Sequence, residues 1–418
     1  DPSQGDVVLE LRCGTDDLSE HPVPHEERRA QAEAYWSTWA NNLELPPLKP
    51  DLMKRSALTL RGLVHAPTGS ILAAATTSLP EEIGGVRNWD YRYCWLRDAA
   101  LTAQALVRVG SLEEAENYLD WVHGVLETLP GPERLHPLYT LAGGALPPEA
   151  VLDSLPGYAG SRPVRVGNAA NQQVQLDVFG PIVDLISELA HRREERGVAH
   201  AQALTDRDWE LVCAMVLAVE RRWFEPDHGI WEIRDNPRHH VYSKVMGWLT
   251  VDRALTLAEK FGRPAGEGWA ELRREIAEEV KEKGWNEDVQ SYTAAYDGTD
   301  LDAATLFIGL TGLVDPDDKR FHATVQATEA ELRSGSTVYR YRHDDGLPGT
   351  EGGFHLCAAW LVGAYLLIGQ RNDAEALFTQ LVAAAGPTGL LSEEYDPVAE
   401  RSLGNHPHAY SHIGLLRC

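Results

Sequence analysis

The sequence has 418 residues, 43% hydrophobic and 24% charged, and its 38 basic and 63 acidic side chains give a formal net charge of -25. That balance argues against nucleic acid and anionic membrane as partners, since both require basic patches. With no run of 18 apolar residues to span a bilayer, the composition is that of a globular chain with a large core, open to a neutral ligand.

Residues 1–23 read as an extended stub. Within it DVVLELRC has the pattern of a strand without a nearby partner, as at the end of a preceding domain. PHEERRAQAEAYWSTWANNLEL opens on its charges and predicts a linker helix within 24–50. From residue 51 to residue 418 helix follows helix. PDLMKRSALTLRGLVHA starts after a proline, RDAALTAQALVRVG stops at Gly110, and Ser111 with Glu114 has capping-box spacing. Further helices are predicted over 172–195, 205–222, 240–261, 266–283, 301–313, 319–334, 353–370, 372–385 and 408–416. The long Gly- and Pro-rich joins, 64–95, 129–171, 223–239, 285–300, 335–352 and 386–407, alternate with short ones. No fixed-period repeat marks a solenoid. The pattern predicts an all-α toroid, with an inner and an outer ring of helices and functional loops gathered at one end. Five scattered cysteines, Cys13, Cys94, Cys213, Cys357 and Cys418, contain no CxxC pair. They predict free thiols, a reducing cytoplasmic setting and no zinc site.

The long joins hold the chemistry-bearing residues, as expected of loops presented by a rigid scaffold. NWDYRYCWLRD (88–98) threads charges among four aromatics and then enters an apolar helix. In an extended segment residues 89, 91, 93 and 95 share one face. Rings beside an arginine and a carboxylate suit a sugar, stacking on its C–H face while Arg97 and Asp98 grip hydroxyls. The plainer reading makes Asp98 a helix cap and pairs Arg97 with a surface acid. After the PDHG turn, Trp231 stands beside Glu232. A carboxyl buried against that ring is held protonated and suits a general acid, unless it lies exposed and paired with Arg234. In GLLSEEYDP, Glu393 can face a cavity as a general base while Glu394 faces away. Arg340 lies between two tyrosines, either in a surface turn or in a second sugar grip. Asn168, Asn171 and Gln172 are caps or neutral hydroxyl readers. His406, His408 and His412 have poor spacing for a shared metal, so no metal site is expected.

Six segments taken in order, NWDYRYCWLRDAAL, RPVRVGNAA, GIWEIR…HVYSKVMGW, VYRY, EGGF and GLLSEEYDP…GNHPHAYSHIGL, resemble glycoside hydrolase family 15, the glucoamylase and bacterial trehalase family. The resemblance covers roughly residues 55–416. It implies an (α/α)6 barrel and an inverting, exo-acting α-glucosidase site that needs no cofactor. Matched by motif, Glu232 is the general acid and Glu393 the general base, with Glu394 the fallback. Tyr91, Trp95, Arg97 and Asp98 hold the terminal glucose, Arg340 binds at the cleavage point and Trp231 walls the site. Inversion calls for carboxyls roughly 6.5–9.5 Å apart, Glu232 protonated and Glu393 ionised. Bacterial members carry a β-sandwich domain ahead of the linker helix, to which the stub would belong. His406 and His408 stand where those relatives have an aromatic residue and Gln. A trehalase-like activity is expected, with glucoamylase or glucodextranase action on glucan ends as the rival. The readings of another class are a non-catalytic sugar-binding toroid and a toroidal lyase.

Overall fold

The computed structural model describes residues 8–12, 19 and 22–418. The chain forms two units, Asp1–Glu44 and Leu45–Cys418. In the first, residues 8–12 have no regular secondary structure, and the rest of the strand expected over 6–13 lies outside the described residues. Helix α1 (His25–Asn41) carries glutamates in its first turn, where the helix dipole favours them, and it buries only Ala40.

The second unit holds α2 (Pro50–Gly62), α3 (Leu96–Arg108), α4 (Glu113–Glu127), α5 (Phe179–Glu195), the single turn α6 (His200–Ala203) and α7 (Asp206–Arg222). It continues with α8 (Val241–Phe261), α9 (Trp269–Lys283), the short α10 (Phe307–Leu310), α11 (Lys319–Leu332), α12 (His355–Leu367), α13 (Arg371–Ala383) and α14 (Ala409–Arg417). Packing contacts run from α3 to α5, α8, α10, α12 and α14, and from α14 back to α3, so six helices close a ring. Helices α2, α4, α7, α9, α11 and α13 back onto that ring from outside. This is the (α/α)6 toroid.

Burial separates the two rings. In α3 every residue from Leu96 to Val107 is buried, and α12 buries ten of its first eleven residues. An inner helix is covered on all sides, so it reads as a continuous apolar run rather than a stripe. An outer helix such as α9 buries only Trp269, Ile276 and Val280 and turns its charges outward. Where a cap is needed it is local. Thr205 and Asp208 form a reciprocal capping box at the start of α7, and Asp318 accepts from the backbone N–H groups of Arg320 and Phe321 at the start of α11.

Three local expectations differ, and one is the helix expected over 301–313, which is a 3-10 turn, Ala303–Leu306, followed by the four-residue α10. Ser111 donates to the Glu114 carboxylate at 2.6 Å instead of capping the backbone of α4, because Glu114 is fully buried and ion-paired to Arg61. The helix expected from 172 begins only at Phe179. Two 3-10 turns, Ala169–Gln172 and Leu176–Val178, precede it, separated by extended residues whose glutamine side chains turn to the site.

The long joins enter the N-terminal ends of the inner helices, and short strands tie them together. Cys94–Trp95 pairs antiparallel with Leu138–Tyr139. A five-stranded antiparallel sheet runs, in order, Arg401–Leu403, Glu394–Asp396, Gly353–Phe354, Thr337–Val338 and Arg333–Ser334, with Glu394 opposite both Leu403 and Phe354. Two segments that look independent in the sequence, 336–354 and 389–403, are thus one layer at the ring's mouth.

Candidate active site

A cavity opens at the N-terminal ends of the inner helices. The eight residues matched by motif to a catalytic or sugar-binding role, the fallback Glu394 apart, line it: Tyr91, Trp95, Arg97, Asp98, Trp231, Glu232, Arg340 and Glu393. The segment entering α3 supplies the first four. It is extended, with Ala74 N–H donating to Tyr91 O and Ser78 N–H to Trp89 O. Trp89, Tyr91 and Trp95 reach the cavity, while Tyr93 packs on the cluster of Ala73, Leu138, Leu146 and Ala170 beneath. The Trp89 ring meets the guanidinium groups of Arg165 and Arg234, each 4.5 Å from its centroid.

Asp98 is not a helix cap, since no side chain caps α3. It accepts a 2.5 Å hydrogen bond from Tyr410 Oη, and burial pushes its carboxyl up to about 6 against the pull of Arg97. Arg97 does not pair with a surface acid. Its guanidinium donates to Asp177 at 2.7 Å, Gln175 at 3.0 Å and Tyr410 at 2.6 Å, all buried. This network fixes the floor of the cavity.

Glu232 sits in a turn rather than a strand, with φ of 60°, a left-handed conformation that costs a non-glycine residue energy. Gln173 Nε2 donates to its backbone oxygen at 2.9 Å and stabilises the turn. Trp95 Nε1 donates to Glu232 Oε1 at 2.5 Å and Gln175 Nε2 to the same oxygen at 3.4 Å, which leaves Oε2 to the cavity. Arg234 pairs with Glu149 at 2.9 Å, not with Glu232. Burial raises the Glu232 carboxyl above its usual range, and Arg97 and the Trp95 hydrogen bond oppose the rise. Trp231 beside it is buried and held by Asp302, and Arg340 lies 5.5 Å from the Trp231 ring and 4.9 Å from Phe354. Arg340 is itself buried, not part of a surface turn, and donates a fork to Glu351.

Glu393 faces the same cavity. Tyr91 Oη donates to its Oε1 at 2.8 Å, and the Tyr91 ring meets Trp95 edge-on with centroids 5.5 Å apart. One aromatic pair therefore holds both carboxylates, Trp95 gripping Glu232 and Tyr91 gripping Glu393. Glu394 is turned away. Its Oε2 accepts from Gly352 N–H at 2.6 Å, and it does not line the cavity.

The expected contrast in charge is absent from the burial of the pair. Glu393 too is raised well above the usual range, first by desolvation and then by Glu81, with Tyr91 and Arg340 opposing. Beyond desolvation, the cause is a buried acidic neighbour, Glu81, that its sequence context does not mark. Glu81, Glu393 and Glu394 each offer an oxygen within 4.8 Å of the others, the one set of metal-capable side chains so placed among the described residues. The histidines form no such set. His408 lines the cavity, and burial depresses it to about 3, which keeps it neutral. His412 is bonded to Ser56 and to Leu391 N–H behind the site. Asn168 reaches the cavity but also caps its own turn by accepting from Ala170 N–H at 2.9 Å. Asn171 donates to Leu146 O, and Gln172 does not line the cavity.

Four further wall residues, Gln173, Tyr341, Asp345 and Tyr410, were not anticipated. Asp345 is fixed by a two-pronged pair with Arg87 and by Tyr341 Oη. The one available signal was position, since Tyr410 lies in the first turn of an inner helix, as Arg97 and Asp98 do.

Among the described residues no helix is long and apolar enough to cross a membrane. Known proteins extend the comparison. The trehalase of Thermoplasma acidophilum is 37% identical over 93% of this chain and 65% of its own length. That of Mycobacterium tuberculosis is 39% identical over 95% of this chain and 59% of its own length. The chain thus spans less than two thirds of these relatives. A bacterial glucoamylase complexed with acarbose superposes with a TM-score of 0.69 at 13% identity, over 94% of this chain and 58% of that one. Hormoconis resinae glucoamylase gives 0.66 at 12%, over 92% and 73%. These two establish likeness of fold. Residues 1–36 match the family described as trehalase-like, N-terminal. Residues 48–418 match glycosyl hydrolases family 15, and the chain belongs to that family.

Proposed function

We propose that this chain is an inverting, exo-acting α-glucosidase of the trehalase type, splitting α,α-trehalose into two glucose molecules. The observation that carries the reading is the pairing of Glu232 and Glu393 across one cavity, each held by one member of the Trp95–Tyr91 ring pair. Glu232, protonated by burial, gives its proton to the glycosidic oxygen. Glu393 takes a proton from a water that attacks the anomeric carbon from the opposite face. Tyr91 favours the ionised form of Glu393 at that moment, because its hydroxyl donates to the carboxylate. Arg97 and Asp98 hold the hydroxyls of the terminal glucose, Trp231 walls the site, and Arg340 binds where the bond breaks. The chemistry uses side chains alone, without a cofactor.

The trehalase relatives support trehalose as substrate. The match of residues 1–36 supports reading the first unit as the end of an N-terminal domain, with 24–50 as linker and 51–418 as the catalytic barrel. The free Cys94, Cys213, Cys357 and Cys418 suit a reducing compartment. The test is proton NMR of the first-formed anomers on trehalose, maltose and isomaltose. Inversion at one carbon of trehalose yields equal α- and β-glucose at the start, against α-glucose alone for retention. No glucose from trehalose, with release from maltose or isomaltose, would replace this reading by a glucan-end hydrolase.

A further inference from the structure

Glu81 is a buried acid for which the two-carboxylate chemistry has no use. It is 1% exposed, in the LPEEIGG turn, and Trp89 Nε1 donates to its Oε1 at 2.6 Å. Its Oε2 has no hydrogen-bond partner, and the same is true of Glu393 Oε2 and Glu394 Oε1. One oxygen from each of the three lies within 4.8 Å of the others, a span that one water bridges. Three carboxylates so close and so dry cannot all be ionised. Arg87 and Arg340 face the group with positive charge and Glu351 with negative charge. Tyr91 donates to Glu393, and neutral His408 lies 3.9 Å from it. Each of the three carboxyls is therefore raised above its usual range, and Glu81 to about 7, chiefly by burial.

Glu81 also stands on the wall of a second cavity. Arg342, Thr350 and Arg401 are exposed around that cavity, and Tyr341 is a wall common to both. Glu393 lines only the first cavity, Glu81 only the second, and Glu394 neither. Each turnover leaves one proton on Glu393 and removes one from Glu232. On its buried side Glu393 faces two carboxylate oxygens, Glu81 Oε2 and Glu394 Oε1, that hold no hydrogen bond.

We propose that Glu81 is the proton outlet of the active site, passing the proton taken up by Glu393 to solvent in the second cavity. The O–H bond formed on Glu393 breaks as one forms on Glu81. That proton then leaves to water, and both carboxylates return to their starting state. Glu232 regains its proton from solvent once the leaving sugar departs. Glu81 touches no substrate and is a positioning residue acting through Glu393, so the inference rests on Glu393 being the base.

Glu81→Gln tests it, because the amide oxygen still accepts from Trp89. Expected on trehalose are a fall in kcat of about 10-fold, with KM within about twofold. The solvent deuterium isotope effect on kcat should rise. The acid limb of kcat/KM should move to lower pH, since one repelling charge beside Glu393 is gone. Glu81→Asp should restore most of kcat, and formate should rescue Glu81→Ala in a dose-dependent way. Wild-type kcat and isotope effect in Glu81→Gln would overturn the proposal. So would a loss shared by kcat and KM, with a lowered Tm and no formate rescue. Calorimetric binding of Mg²⁺ to the full chain, abolished by Glu81→Gln, would make the triad a cation site instead. A wild-type chain inactive on all three disaccharides would sink the hydrolase reading itself, before any variant is compared.

Discussion

Glu232 and Glu393 are the same residue type, in the same cavity, both driven toward protonation, yet by different means. Glu232 is presented on a turn bent into the left-handed region, beside a cation and two neutral donors. Its raised proton affinity comes chiefly from loss of water. Glu393 lies just before a strand, with acidic neighbours behind it and a tyrosine and an arginine in front. Its proton affinity comes from lost water and from repulsion, and repulsion can be relieved one charge at a time. In the proposed mechanism the acid is thus set by a dry wall, whereas the base is adjustable through its neighbours.

The sharpest break of that comparison is removal of either group. Glu232→Gln and Glu393→Gln should each lower kcat on the order of 10³-fold, with circular dichroism unchanged. The two aromatic grips come next. Tyr91→Phe removes the bond that favours ionised Glu393, so that carboxyl binds its proton more tightly. The acid limb of kcat/KM should move to higher pH and the profile should narrow. Trp95→Phe removes the bond that favours ionised Glu232, so the acid stays protonated further up. The basic limb should move to higher pH and the profile should widen. Each should lower kcat/KM about 10-fold, read from full pH profiles. Arg340→Lys keeps the charge near the acidic group but loses the fork to Glu351 and the planar face toward Trp231. It should raise KM about fivefold with both limbs in place. The smallest effect on activity belongs to Thr205→Ala, at the capping box of α7. It should cost about 1 kcal/mol in denaturant unfolding and leave the pH profile untouched.

What could be read in advance follows the range of the physics involved. Helix positions were legible because spacing, proline starts and glycine stops are local, and the long joins marked the functional end. Three of the four odd-numbered aromatics of 88–98, Trp89, Tyr91 and Trp95, were legible because alternation in an extended segment is local too, whereas Tyr93 turns to the cluster beneath. Glu81 was not. Between proline and a glycine pair it looks like a solvated turn, and its burial comes from Arg340, Glu393 and Glu394, far along the chain. Asp177 was hidden in the same way, passing for a helix-start residue until Arg97 is placed against it. The upward pull on the Glu393 carboxyl was hidden for the same reason, since a carboxyl's proton affinity depends on neighbours that spacing does not reveal.

The ring closes where α14 meets α3, and that junction has a consequence for how the protein is made. Tyr410, from the last helix, bonds both Arg97 and Asp98, from the second helix of the toroid, and Glu393 reaches back to Tyr91. Contacts between such distant stretches form only after the whole barrel has left the ribosome. Until then each emerging inner helix has its apolar sides uncovered. The floor of the cavity is therefore completed only when α14 docks on α3 and brings Tyr410 to Arg97 and Asp98.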